Sequence, residues 1–287
     1  MQKEKLFDEK LFLAFQKRAW QKKQNDADFL LAKAGQEMVQ RLSFIKRYFP
    51  CAISLHNYGS LVPRLLSETG QVGCVHQIEK ASFYFTEAEK GQVCSLQALD
   101  LPKNFFQLLV SLFSLHLSND SFSALLKIRK SLSPDGLFLA AVLGQGTLQS
   151  LRESLIAAEL ELYGKAHLRV VPFPSLYEAG ALLQQAGFAM PVVDQDIWRF
   201  HYDNLSDILR DLRGMGMSNM LFTRSRQPVS RRFFCLAEEK LRQRSGRPDG
   251  SLEICFQVIW LLGWAPHPDQ QKPLKPGTAQ ISFTQFL

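Results

Sequence analysis

The sequence predicts an α/β fold in which short, buried strands alternate with helices. Five short apolar runs have few polar interruptions, as strands covered on both faces do: Ala52–Leu55, Val72–Ile78, Gln92–Leu96, Phe106–Leu112 and Leu137–Leu143. Segments with a helical period lie between several of these runs, and repeated strand–helix–strand units build parallel sheets through right-handed crossovers. With 287 residues, the chain is long enough to bury a sizeable core.

Two helices are predicted before the first strand. Lys5–Lys23 is lysine-rich and amphipathic, and a second helix is expected over Asp26–Tyr48, with Asp26 as its N-cap. The second helix has one apolar stripe, formed by Leu31, Ala34, Met38, Leu42, Ile45 and Phe49. Pro50 ends this region. We therefore expect residues 1–49 to form a helical extension that acts as a lid, and residues 50–287 to form the α/β domain.

The remaining elements follow the same apolar patterns. Helices are predicted at Phe122–Leu132, Thr147–Tyr163, Ser175–Ala186, Leu205–Arg213 and Arg231–Arg244. Strands are predicted at Pro191–Tyr202 and Glu253–Leu262, and Ser133–Gly136 is expected to form a tight turn. From Trp264 onward, four closely spaced prolines exclude a helix or a central strand and predict a proline-rich tail.

Composition narrows the class of protein. Hydrophobic residues make up 46% of the chain and charged residues 21%, which is typical of a soluble globular protein. No apolar run reaches the roughly 18 residues that a membrane-spanning helix needs, and the N-terminus lacks the apolar core of a secretory signal. We therefore expect a cytoplasmic protein without a transmembrane segment.

Charge and cysteine content bear on partners and metals. The net charge of +7 leaves an acidic partner or peripheral membrane contact open, but no nucleic-acid-binding motif accompanies it, so nucleic acid is not an expected partner. The five cysteines contain no CxxC pair and the six histidines no HxxxH pair. Reduced, buried thiols and no metal site are therefore expected.

Five longer segments carry a family resemblance. They are "SLFSLHLSND" (Ser111–Asp120), "IRKSLSPDGLFLAAVLG" (Ile128–Gly144), "TLQSLRESLIAAELE" (Thr147–Glu161), "LLQQAGFAMPVVD" (Leu182–Asp194) and "DLRGMGMSN" (Asp211–Asn219). With the order of elements, they resemble class I S-adenosylmethionine (SAM)-dependent methyltransferases. Within these, the chain is similar to the branch of the biotin-pathway malonyl carrier-protein methyltransferase, and more closely to the methyltransferase-fold assembly factors of respiratory complex I.

The resemblance implies a Rossmann-like, seven-stranded sheet that is mostly parallel, with the last strand inserted antiparallel. SAM would then lie across the carboxyl ends of the first strands, where ligands of open α/β sheets bind. The residues it assigns to the cofactor site are Ser54, His56, Tyr58, Gly59, Glu79, Gln97 and Ser111. The aromatic run Phe83–Phe85 would lie near the adenine.

The implied cofactor loop departs from the family pattern. In this register His56 and Tyr58 replace glycines, Gly59 is one place off, and Ser54 replaces an acid. Gln107 stands where the family has an aspartate at the start of the fourth strand. Glycines let the backbone approach the cofactor closely, so these replacements predict weak or absent SAM binding by the chain alone. An ordinary strand–helix turn is the alternative reading of the loop.

The resemblance also suggests residues for chemistry and substrate binding. His116, Asn119 and Asp120 follow the fourth strand, where the family places the transferred group, and Arg152 completes the catalytic candidates. His116 suits a general base, with a purely structural histidine as the alternative. The candidates for the substrate cavity are Tyr202, Arg213 and Trp264.

Three functions fit these observations. The first is a SAM-dependent, methyltransferase-like enzyme acting on a protein; for the complex I group the resemblance suggests arginine hydroxylation of a respiratory-complex subunit. The second is a catalytically degenerate fold that binds a protein client as an assembly factor. The third is a carrier-protein methyltransferase, since a basic surface suits an acidic carrier.

Overall fold

The computed structural model describes residues 5–22, 28–86 and 91–270, which are built around a seven-stranded sheet. The strands are β1 (Phe49–Leu55), β2 (Val72–Glu79), β3 (Gln92–Val93), β4 (Phe106–Leu112), β5 (Leu132–Leu143), β6 (Ala189–Tyr202) and β7 (Leu252–Trp264). Their order is β3-β2-β1-β4-β5-β7-β6. β1 to β5 pair in parallel, whereas β7 pairs antiparallel with both β5 and β6. The predicted fold class is therefore confirmed.

Helices cover both faces of the sheet. They are α1 (Glu9–Lys22), α2 (Phe29–Ser43), α3 (Leu61–Glu68), α4 (Ser121–Ser131), α5 (Gln149–Tyr163), α6 (Leu176–Gln185), α7 (Leu205–Gly214) and α8 (Arg231–Ser245). Leu139 and Ala141 of β5 belong to one apolar core with α2, α3, α5, α7 and α8. Phe138 and Ala140 belong to a second core, with α4 and α6. Burial on both faces is why these strands read as continuous apolar runs.

Tertiary pairing moves some of the predicted boundaries. α2 ends at Ser43 rather than near Tyr48, because Phe49 joins the sheet opposite Val72 instead of extending the helical stripe. Asp26 lies outside the described residues, and Asp28 occupies the N-cap position. The predicted strand Gln92–Leu96 shortens to two residues at the sheet edge.

The segment Ser133–Gly136 is part of β5 rather than a separate turn. The register with β4 shifts there, from Phe106 opposite Leu132 to Leu108 opposite Leu137, and Asp135 has a φ of +58°. The turn residues thus form an irregularity inside a longer strand, because pairing resumes on both sides of them. Trp264 is the last residue of β7, and the proline-rich tail lies largely outside the described residues.

The two N-terminal helices lie in different places. α1 crosses the carboxyl edge of the parallel strands and contacts α7 and the 3-10 helix Ser82–Tyr84. α2 packs on a sheet face, where Arg41 of this helix bonds Asp194 and Asp196 of β6 and stacks on the Trp260 ring. α1 therefore lies over the edge where the family resemblance predicts a ligand, and the first turn of α2 reaches the same edge through Leu30 and Leu31. Across residues 5–22, 28–86 and 91–270, no helix combines the length and the apolar character of a membrane span.

Candidate functional site

A cavity of about 320 Å³ lies between α1 and the carboxyl ends of β1, β4 and β5. Aliphatic side chains supply much of its wall, and aromatic rings come from several segments: Trp20 from α1, Tyr58 from the loop after β1, and Tyr84 from the segment after β2. Phe113 and His116 complete the wall after β4. This volume is at the lower end of the range of small-ligand pockets, and the position is the one predicted for a ligand of an open α/β sheet.

The loop after β1 folds onto the carboxylate of Glu79 at the end of β2. The backbone N–H groups of Asn57 and Gly59 each lie 3.1 Å from Glu79 Oε1, and that of Tyr58 lies 3.3 Å from Oε2. The loop N–H groups could bind a cofactor carboxylate, and Glu79 is the residue expected to bind ribose hydroxyls. Here they are bonded to each other. Glu79 is fully buried, and burial raises the pKa of its carboxyl to about 7 although the N–H groups oppose the shift.

The residues that replace the family's glycines keep a glycine-like backbone. His56 has a φ of +52° and Tyr58 a φ of +60°, in the left-handed region that side chains with a Cβ disfavour by about 1 kcal/mol or more. His56 is fully buried, and its Nε2 lies 2.7 Å from the carbonyl oxygen of Cys94. Burial lowers the pKa of His56 to about 3, so its imidazole is neutral at physiological pH.

Asn57 ties this loop to the sheet, a role that the sequence analysis missed. Its Oδ1 accepts from the N–H of Leu112 at 2.6 Å, while its Nδ2 donates to Ser54 Oγ at 2.7 Å and to the Val110 carbonyl at 3.1 Å. The side chain is fully buried. Asn57 therefore links the ends of β1 and β4, and no sequence motif marks it, because the partners on β4 are more than fifty residues away.

Aromatic rings pack tightly at the mouth of the loop. Tyr84 meets Trp20 edge to face at 5.2 Å and Tyr58 at 5.9 Å between ring centroids, and the Tyr58 hydroxyl donates to the Phe113 carbonyl at 2.7 Å. A Cβ at Gly59 would lie only 3.0 Å from the Trp20 ring. Gly59 thus permits the close approach of α1 to the loop.

Several buried polar atoms lie in the cavity wall. Both ring nitrogens of His116 and Oε1 of Gln16 are buried and have no hydrogen-bond partner within the part of the chain that the structure describes. Burial, with a smaller contribution from the nearby Lys80 charge, lowers the pKa of His116 to about 3, so the ring is neutral. Asp28, an exposed residue at the rim of the same cavity, has a raised pKa because its carboxyl is partly desolvated. Because unpaired buried polar atoms are costly, this cavity is suited to a ligand that supplies donors.

Two of the catalytic candidates next to His116 have structural partners. Asn119 holds the N-terminal segment, since its Oδ1 accepts from the Phe7 N–H at 2.8 Å and its Nδ2 donates to the Phe7 carbonyl at 3.0 Å. Asp120 is the N-cap of α4 and accepts from the Ser123 N–H at 3.2 Å. Of the three residues predicted after the fourth strand, only His116 lines the cavity.

Three of the residues assigned to the cofactor also have partners outside the cavity. Gln97 is exposed and donates to Glu9 Oε1 at 2.7 Å, which fastens α1 to the domain. Ser111 is buried with its Oγ 2.8 Å from Ser114 Oγ. The Ser54 hydroxyl accepts from Asn57, as described above.

The remaining candidates are spread over the domain. Arg152 borders a separate surface depression, and its Nη2 donates to the carbonyls of Gln145 and Thr147. Gln107 lies elsewhere, where its Oε1 accepts from the Cys51 N–H. Tyr202 packs against the core, where burial raises its pKa, and Asp211 is its hydrogen-bond partner.

Trp264 pairs with Leu137 in the middle of β5, six residues before Leu143, which lines the cavity, so it lies away from the cavity. Arg213 borders a second cavity of about 260 Å³, which shares Leu117 and Met217 with the first. Among the predicted substrate residues, only Arg213 is near the site.

Comparisons with known proteins give consistent results. No family model matches the chain. The chain is 32% identical over 273 residues to the arginine-hydroxylase NDUFAF5, mitochondrial, of Danio rerio, covering 90% of this chain and 82% of that protein. The Homo sapiens protein of the same name is 32% identical over 266 residues, with 90% and 76% covered. A malonyl-[acyl-carrier protein] O-methyltransferase of Methylovorus sp. is 31% identical over 189 residues, with 64% and 61% covered.

Solved structures agree on the fold. The YcgJ protein of Bacillus subtilis superposes with a TM-score of 0.55 at 13% identity, covering 82% of this chain and 99% of that one. A protein of Bacillus halodurans, named as a candidate methyltransferase, superposes with a TM-score of 0.54 at 11% identity, with 80% and 99% covered. At such low identity these likenesses establish the sheet and its helices, and the chemistry has to be argued from the site itself.

Proposed function

Because this chain belongs to the NDUFAF5 family, we propose that it binds a protein client and hydroxylates an arginine side chain of that client. This two-electron oxidation takes its oxygen atom from dioxygen, whose second oxygen leaves as water, and both dioxygen and the two-electron donor that this requires come from outside the chain. The supporting observation is the cavity under α1, with aromatic rings and the buried Gln16 Oε1 and His116 nitrogens in its wall and the Asp28 carboxyl at its rim. These groups match the chemistry of a guanidinium group.

A guanidinium is a flat cation with five N–H donors and no acceptor. Aromatic faces attract it through cation–π interaction, and Trp20, Tyr58 and Tyr84 supply such faces. Gln16 Oε1 and one nitrogen of the neutral His116 ring can each accept an N–H, while Asp28 offers a carboxylate for the charge. The narrow alkyl stem of an arginine side chain also suits a cavity of about 320 Å³.

The N-terminal extension is part of this proposal. α1 contributes Phe12, Gln16 and Trp20 to the cavity wall, so movement of this helix would open the cavity to a peptide. The segment before α1 is anchored to the domain by the β-bridge between Phe7 and Leu221 and by the ion pair between Asp8 and Arg224. Opening would therefore be a movement of α1 about this anchored end, and it would expose the buried Phe12. We therefore assign the lid function to α1, with α2 as a fixed part of the domain.

Substituting Trp20 with alanine is expected to abolish most of the modification. In cells lacking this gene, complementation with the wild-type chain should yield peptides with one additional oxygen atom on an arginine, and Trp20→Ala should reduce them roughly five- to thirtyfold. The reduction follows from loss of a cation–π face, worth about 1–2 kcal/mol in a desolvated site. Mass spectrometry of the proteome, respiratory complex I subunits in particular, is the measurement.

The matched control is Tyr177→Ala. Tyr177 is an aromatic residue on α6 with 84% of its side chain exposed, outside the cavity. This variant should restore modification fully. Arginine oxidation that does not depend on the chain, or that is equally lost in both variants, would contradict the proposal.

We further propose that SAM, the cofactor implied by the fold, binds the isolated chain weakly or not at all. The loop N–H groups and Glu79 satisfy each other, and Tyr58, Tyr84 and Trp20 fill the space beside them. Losing two polar contacts of about 1 kcal/mol each weakens binding by more than tenfold. The residues in this conformation do not fit the cofactor, so we assign it no step.

Calorimetric titration of the purified chain with SAM should therefore show little or no heat of binding. Adding the client is the condition under which binding could recover, because a peptide under α1 would change the packing of Trp20. A dissociation constant in the low micromolar range or tighter, lost in Glu79→Ala, would overturn this expectation.

Two other functions are distinguished by the same measurements. A non-catalytic assembly factor would bind the client without any arginine oxidation. This function is the second candidate, because the N–H groups of the loop after β1 are bonded to Glu79 and not free for a cofactor. A carrier-protein methyltransferase would require SAM binding.

A client in respiratory complex I also suits a cytoplasmic protein in peripheral contact with a membrane. The net charge of +7 favours contact with an anionic membrane surface.

A further inference from the structure

Two cysteines and a histidine meet on β1 and β2, away from the cavity. Cys51 and Cys74 are register partners in the parallel ladder, and their Sγ atoms lie 3.2 Å apart. Nε2 of His76 lies 3.9 Å from Cys74 Sγ, and the three potential ligand atoms all lie within 4.8 Å of one another. All five cysteines of the chain are free thiols, but the prediction that they are buried is wrong, since three are half-buried and two are exposed.

Strand geometry explains why these residues meet. Parallel pairing places Cys51 beside Cys74, and residues two apart on a strand share a face, so His76 stands on the same side of β2 as Cys74. Cys74 and His76 are exposed while Cys51 is half-buried, so this face is open to solvent there. The cluster is therefore accessible to an ion from solution.

We propose that Cys51, Cys74 and His76 bind a thiophilic cation, Zn²⁺, with a fourth coordination position open to solvent. Two thiolates and an imidazole are ligands that zinc prefers, and two thiolates balance its charge. As each sulfur binds the ion, its thiol proton passes to solvent.

The distances suit this ion after a small adjustment. With Zn–S bonds of about 2.3 Å, tetrahedral coordination separates two sulfur atoms by roughly 3.8 Å. The observed separation of 3.2 Å must therefore widen by about half an ångström, which side-chain rotation at the exposed Cys74 can supply.

The proposed site is distinct from the cavity. None of its three residues lines that space, and Cys51 and Cys74 lie on the strands that carry Ser54 and Glu79 further along. Among the described residues, the strand on the outer side of β2 is the two-residue β3. An ion bound here would clamp the outer strand β2 to β1, whose carboxyl ends hold the loop and Glu79.

Metal titration of the reduced full chain tests this inference. Zn²⁺ competed against a chromophoric chelator should bind with one equivalent, and Co²⁺ should give the absorption band of thiolate coordination. Cys74→Ser should weaken Zn²⁺ binding at least 100-fold and remove that band, and His76→Ala should weaken it at least tenfold. Cys235→Ser is the matched control, an exposed cysteine on α8 outside the cluster, and should bind as the wild type does.

Circular dichroism establishes that each variant is folded, and thiol titration establishes that the cysteines are reduced. The inference is overturned if the reduced wild-type chain takes up no Zn²⁺, or if Cys74→Ser binds Zn²⁺ as tightly as the wild type. Arginine modification plays no part in this readout, so failure of the proposed function leaves the result unaffected.

Discussion

Replacing Asn57 with alanine is expected to lower the free energy of unfolding by about 3 kcal/mol. The substitution removes three hydrogen bonds of a fully buried side chain and strands the N–H of Leu112 and the carbonyl of Val110 at the end of β4. Each buried polar group left unpaired costs about 1–3 kcal/mol. Urea denaturation followed by circular dichroism measures the change.

Asn219→Ala is the matched control for the same chemical change. Asn219 Nδ2 donates to the Leu168 carbonyl at 2.8 Å and its Oδ1 accepts from the Leu221 N–H at 3.1 Å. Asn219 is half-buried and Leu168 is exposed, so water can replace Asn219 at the Leu168 carbonyl, and this variant should lose less stability than Asn57→Ala, about 1–2 kcal/mol. Equal losses in the two variants would show that the Asn57 network does not hold the loop.

A second large effect is expected on the pH dependence of stability, in the variant His116→Phe. Burial lowers the pKa of His116 to about 3 from its ordinary 6.5. Between these two pH values the unfolded chain binds a proton that the folded chain excludes, so stability falls as the pH falls. Phenylalanine keeps the packing against Phe173 but binds no proton.

The wild type should therefore lose stability relative to His116→Phe by about 1.4 kcal/mol per pH unit below roughly pH 6. His56 acts in the same direction, whereas the raised pKa of Glu79 favours the folded state as the pH falls below about 7. Both residues are present in the two proteins, so their contributions cancel in the difference. Urea denaturation at several pH values between 7.5 and 4.5 gives the two profiles.

Phe222→Leu provides the control, since Phe222 is exposed and neither side chain binds a proton. This variant should keep the pH profile of the wild type. Parallel profiles for the wild type and His116→Phe would show that the His116 ring can take up a proton in the folded state, and the cavity would then be open to water.

Much of the fold could be predicted from local sequence alone. The apolar run Phe106–Leu112 coincides with β4, and the predicted strand Glu253–Leu262 lies inside β7. Both could be predicted because strands buried on both faces consist largely of apolar residues. The alignment of the loop with the family's glycine positions also agrees with the backbone, because His56 and Tyr58, which replace glycines in that alignment, both have a positive φ. Helix limits such as Gly164 after α5 follow from local backbone preference.

Only the tertiary structure decided how the polar residues are used. Glu79 was predicted to face a cofactor, but the loop turns its own N–H groups toward that carboxylate. Asn119 and Asp120 lie beside His116 in sequence, yet they bond to the N-terminal segment and to α4. Neighbours in sequence point in different directions once the chain bends, so adjacency did not predict a shared site.

The sequence by itself thus determined the strands, the helices and the position of the loop, because these depend on patterns that span a few residues. The lining of the cavity and the meeting of Cys51 with Cys74 were decided by how distant strands and α1 come together. These contacts depend on strand register, and a shift of one residue would turn every side chain of β2 to the opposite face. Such long-range pairing leaves no motif in the sequence of either partner.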